Sequence, residues 1–67
     1  MMVLDAISWI IEYRERYKIE PACAARIDVA SLTGLPDNEL DKEISQLEDM
    51  GAIVEKKAIN DKTYYLT

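Results

Sequence analysis

The chain has 67 residues, room for one domain over 1–67 and too few for a cleft between two lobes. Thirteen acids against eight bases, with no histidine, leave a net charge of −5, which argues against a generic polyanion binder. The lone cysteine, Cys23, excludes an intrachain disulfide and, without histidine, leaves no donor set for zinc.

The chain opens Met1-Met2-Val3-Leu4-Asp5 with no basic segment, and Asp5 and Glu12 interrupt its apolar stretch, so it does not read as a signal peptide. No apolar run approaches the ~20 residues that cross a bilayer. With a single cysteine, the expectation is a soluble, cytoplasmic chain without a membrane partner.

Val3 to Lys18 has the periodicity of a helix about 24 Å long. Asp5, Ser8, Glu12, Glu15 and Arg16 form a polar stripe, and Leu4, Ile7 and Ile11 are spaced to face a core. Ala6, Ile10, Tyr13 and Tyr17 flank them, and Trp9 sits towards the polar margin. Pro21 bounds this helix, because the residue before a proline is pushed from helical angles.

The next segment has two readings. Either Pro21 opens a second helix, or Arg26-Ile27 is a short strand and Asp28 caps a shorter helix. In both, Val29 and Leu32 share a face and Gly34 supplies a left-handed stop. Pro36-Asp37-Asn38 opens a third helix with Asp37 as its cap, Leu40, Ile44 and Leu47 form its buried stripe, and Gly51 ends it.

Beyond Gly51 the composition turns β-branched and aromatic. Ile53–Ile59 and Lys62–Thr67 flank Asn60-Asp61, the residues of a tight hairpin turn. A two-residue loop places Lys57 opposite Tyr64 and Lys56 opposite Tyr65. Val54 and Ile53 point to opposite sides, and the pattern leaves open which of them is buried.

The fold class is therefore mostly α with a C-terminal β-hairpin (α+β). Its order, together with Leu32-Thr33-Gly34-Leu35-Pro36-Asp37-Asn38-Glu39-Leu40 as a turn between helices, resembles a winged helix-turn-helix domain. Ile44 to Ile53 resembles the end of a recognition helix entering a wing, and Lys62 to Thr67 the returning wing strand. The resemblance implies three helices plus a two-stranded wing, and Leu35 as a plug between the second and third helices.

It also implies a small nucleic-acid-binding regulator of transcription that meets DNA with its third helix and its wing. Opposite the Leu40/Ile44/Leu47 stripe lie Asn38, Lys42, Ser45 and Asp49, flanked by Asp41 and Gln46. Asn38 suits adenine, Lys42 a guanine or a phosphate, and Ser45 and Gln46 bases or backbone. Lys56, Lys57 and Lys62 are the wing's candidates for phosphate contact. Lysines on a hairpin edge also discourage strand-to-strand aggregation, and the two readings weigh equally.

The charges oppose this. Residues 37–50 carry six acids (Asp37, Glu39, Asp41, Glu43, Glu48, Asp49) against Lys42 alone, a sum of −5 that equals the charge of the whole chain. The alternative is a protein-interaction module in which Glu39, Asp41, Glu43 and Asp49 meet a basic partner. For Glu43, Glu48 and Asp49 a merely solvated face is the leading account, and Asp37, Glu39 and Asp41 suit the helix dipole. Arg14, Arg16 and Lys18 likewise suit the end of the first helix.

The wide apolar arc of the first helix suggests a homodimer contact through Trp9, Ile10, Tyr13 and Tyr17, large aromatics being favoured at interfaces. The competing reading packs Tyr13 and Tyr17 on the hairpin or on residues 19–27. With no histidine, no nucleophile–base pair and no glycine-rich phosphate loop, neither an enzyme nor a cofactor is expected. Cys23, among alanines, reads as a small buried hydrophobe.

Overall fold

The structure is a computed structural model and describes residues 1–67. In chain order it holds α1 (Val3–Arg16), β1 (Ala24–Ala25), α2 (Arg26–Thr33), α3 (Asp37–Asp49), β2 (Ile53–Lys57) and β3 (Lys62–Leu66). The α+β class and the C-terminal hairpin are present. The sheet, however, has three antiparallel strands in the order β1-β3-β2 rather than two. This layout is consistent with a winged-helix arrangement.

The additional strand comes from Ala24 and Ala25, which pair with Tyr64 and Thr63. Neither sequence reading of this segment holds. The strand ends before Arg26-Ile27, and α2 starts at Arg26 with Ala25 at its N-cap and no side-chain cap of its own. Alanine is a poor strand former, so this pairing comes from tertiary context. An inner edge of β3 would otherwise carry unpaired backbone groups.

The first helix stops at Arg16, ahead of Pro21. Lys18 takes a left-handed conformation (φ 54°). The Ile19 N–H reaches the Arg14 carbonyl at 2.8 Å and the Lys18 N–H reaches Glu15 at 3.2 Å. This is the Schellman closure, with lysine where glycine is usual. α3 closes the same way at Gly51 (φ 76°), where the Ala52 N–H bonds the Leu47 carbonyl at 2.9 Å. At its other end Pro36 holds the N-cap position and Asp37 is the first helical residue, so Asp37 does not cap it.

The core is one cluster built on Val3, Ala6, Ile7, Ile10 and Ile11 of α1, joined by Val29, Leu40, Ile44, Ile53 and Tyr64. Leu4, expected in it, is exposed, and Val3 and Ile10 take the inward positions instead. Of the Val29/Leu32 pair only Val29 is buried, while Leu35 and Leu47 pack partly buried on the cluster. Cys23 is buried beside β1.

The hairpin register differs from a two-residue loop. Lys57 pairs with Lys62, Lys56 with Thr63, Glu55 with Tyr64 and Ile53 with Leu66, so the loop is Ala58–Asp61 and Ile59 leaves the strand. The slip is two residues, which keeps every side chain on its face. Ile53 and Tyr64 turn inward, and Val54 outward. No helix is long and apolar enough to cross a membrane.

Candidate interaction surface of the third helix and the wing

Two apolar anchors, Leu40 and Ile44, hold α3 on the core and decide which of its side chains face outward. Asn38, Lys42, Ser45 and Asp49 are all exposed on the opposite side, and Glu39, Asp41, Gln46 and Glu48 are exposed to either side of that line. Glu43 is half-buried and turned sideways. It lines a hollow with Met1, Met2, Asp5 and Leu35, because position 43 lies next to Leu40 and Leu47 around the helix. Glu43 is thereby separated from the other acids proposed to share a partner-binding face.

Arg26, the first residue of α2, reaches across to α3. One guanidinium nitrogen lies 2.7 Å from the Asp41 carboxylate and also donates to the Tyr64 hydroxyl at 3.4 Å. The other lies 3.7 Å from the Asp37 carboxylate and 3.5 Å from its carbonyl oxygen, to which it donates. The side chain is mostly covered, so these contacts are held by packing as well as by charge. The hydrogen bond with Tyr64 is the main cause that raises Arg26 further above its ordinary range, with Asp41 adding to it. Burial raises the Tyr64 phenol, and the bond from Arg26 pulls it the other way.

A second carboxylate occupies the start of α2. The first N–H groups of a helix have no partner within it and carry partial positive charge. Asp61, at the wing tip, accepts the Ile27 N–H at 3.1 Å with one oxygen and the Lys62 N–H at 2.8 Å with the other. The wing is thus tied to the helices by its own tip. Both ends of this tether and of the Arg26 bridge were missed in the sequence. The partners are 34 and 15 residues apart, and no local pattern links them.

The three wing lysines do not form one patch. Lys57 and Lys62 face each other across the hairpin near its tip, with Lys62 3.9 Å from Glu55. Lys56 lies on the other face, its ammonium 5.0 Å from the centre of the Tyr65 ring. All three are exposed, and neither Lys57 nor Lys42 makes an ion pair within the chain.

The α3 surface therefore stays strongly acidic. Arg26 adds one positive charge beside the six acids and Lys42, and it is already engaged by two of those acids. Comparison with protein-family models, curated proteins and solved structures gave no match.

Proposed function

We propose that this chain is a winged-helix protein-interaction module whose acidic third helix receives a basic segment of another protein. The reading is carried by one observation. The two points of this surface best suited to a phosphate already hold the chain's own carboxylates. Asp41 and Asp37 occupy the Arg26 guanidinium, and Asp61 occupies the N-terminus of α2.

A nucleic acid approaching here would meet Asp41, Glu48 and Asp49 before any free cation other than Lys42. Duplex DNA carries about one negative charge per 1.7 Å of axis, so the approach is repulsive over the length of the helix. A lysine- and arginine-rich peptide meets the same side chains as partners. Glu39, Glu48 and Asp49 are exposed on α3, make no ion pair within the chain, and supply acceptors around the Asn38/Lys42/Ser45 line.

Nucleic-acid binding, as a small DNA-binding regulator, is the second reading. It is favoured by the exposure of Lys56, Lys57 and Lys62 on the wing, with Asn38, Lys42, Ser45 and Gln46 outward on α3. On this reading contact starts at the wing.

Titration with a basic peptide and with mixed-sequence duplex DNA, each at low and moderate salt, separates the two. The proposal expects the peptide to bind, Glu39→Lys/Glu48→Lys/Asp49→Lys to abolish that binding, and alanine at the three wing lysines to leave it intact. DNA binding that falls steeply with salt and is lost with the wing lysines, alongside a silent peptide, would overturn it.

A further inference from the structure

The outer face of α1 is the largest feature not used by the surface above. With Val3, Ala6, Ile7, Ile10 and Ile11 turned inward, helical geometry turns Asp5, Trp9, Glu12 and Arg16 outward, with Tyr13 on the flank, one turn on from Trp9. Trp9 and Tyr13 stack with ring centres 5.6 Å apart, and Tyr13 and Tyr17 follow at 4.7 Å. The three side chains are 51%, 46% and 60% exposed.

Beside this ladder runs a groove of about 330 Å³ between α1 and α2, walled by Trp9, Tyr13, Ile19 and Leu32. Ile10 is core, 6% exposed, and forms part of the lining without standing out as a contact. At about 200 Å² per aromatic side chain, the ladder alone leaves roughly 300 Å² in water. A stable interface takes about 800 Å² from each partner. Ile19, Leu32 and the charged residues along α1 extend the patch towards that size.

The charges along the line select the occupant. Asp5 lies near the start of α1 and Arg16 at its end, about 16 Å apart along the axis, with the aromatics and one further acid, Glu12, between them. Neither makes an ion pair within the chain. A parallel copy would set Asp5 on Asp5 and Arg16 on Arg16. An antiparallel copy related by a two-fold axis near the middle of the helix sets each Asp5 on the other copy's Arg16. The Trp9/Tyr13 pairs then meet near the centre, with each Glu12 beside the other copy's Trp9. A surface that matches its own reverse is what a two-fold interface requires.

We infer that α1 is a homodimer surface, packing antiparallel on α1 of a second copy through Trp9, Tyr13 and Tyr17 and closed at both ends by Asp5–Arg16 pairs. This is independent of what α3 binds, since the aromatic ladder borders the groove against α2; Asp5 alone also lines the hollow beside Glu43.

Light scattering and sedimentation of the full chain across concentration test it. The expected mass is twice the 7.7 kDa of one chain at high concentration, with the emission of Trp9, the single tryptophan, shifting to the blue as the dimer forms. Asp5→Arg and Arg16→Asp should each weaken the dimer by about tenfold or more, and the two together should restore it. Far-UV circular dichroism checks that each variant keeps its helices. If one does not, Asp5→Asn and Arg16→Gln replace the reversals and should weaken the dimer by a smaller factor. A single-chain mass at millimolar concentration overturns the inference. So does a dimer indifferent to both single changes, or a double variant no better than the singles.

Discussion

Asp61 ties the wing to α2, and removing it tests whether that tie holds the domain together. Asp61→Ala leaves two N–H groups, those of Ile27 and Lys62, without their carboxylate acceptor. The first is a helix N-terminal donor, where losing a capping acceptor costs about 0.5–2 kcal/mol. The second faces water and is re-solvated at little cost. A total loss of roughly 1–2 kcal/mol is a large part of the ~3–10 kcal/mol expected of a domain this size. At about 4–8 °C per kcal/mol, Tm should fall by roughly 5–15 °C.

Asp61→Asn keeps an acceptor oxygen and loses the charge, so it should give up only the dipole contribution of about 0.3–1 kcal/mol. Thermal melts followed by circular dichroism give the first number. Amide hydrogen exchange at Ile27 gives the local one, since its protection should drop in Asp61→Ala. A melt within about 1 °C of the parent, with Ile27 protection unchanged, would refute the tether.

Two further outcomes follow from the same geometry. Gly34 ends α2 at φ 69° with no atom within 4 Å of an added Cβ, so Gly34→Ala should cost about 1–2 kcal/mol of backbone strain. Urea unfolding should show a lower midpoint with an unchanged slope. The Tyr64 phenol is raised above its ordinary range by burial, so the native state holds that proton more tightly than the unfolded chain. Its stability is complete below the unfolded pKa of about 10 and is lost as pH rises through the folded value. The gap in Tm between the parent and Tyr64→Phe should therefore change as pH rises beyond about 10, the parent falling faster. Parallel curves would remove Tyr64 from the account.

Features governed by neighbours along the chain were legible in the sequence. The inward stripe of α3 follows from Leu40, Ile44 and Leu47 at helical spacing. Gly34 and Gly51 stop their helices because each needs a positive φ. The hairpin is visible in the change of period after Gly51, and the concentration of acid on residues 37–50 is plain arithmetic.

Contacts between distant residues decided the rest. Lys18 closes α1 with a left-handed turn that no local rule assigns to lysine, so the helix stops at Arg16, two residues short of the Val3–Lys18 pattern and well ahead of Pro21. Ala24 and Ala25 become a strand because β3 offers an edge. The hairpin loop widens to four residues as Asp61 turns to the N-terminus of α2. Arg26 meets Asp41, Asp37 and Tyr64 across three elements, and the wing lysines divide between two faces. Periodicity along a chain reports which face of an element is buried. It carries no information about which other element supplies the partner, and that pairing is what turned an acidic helix into a surface with its nearest cation already taken.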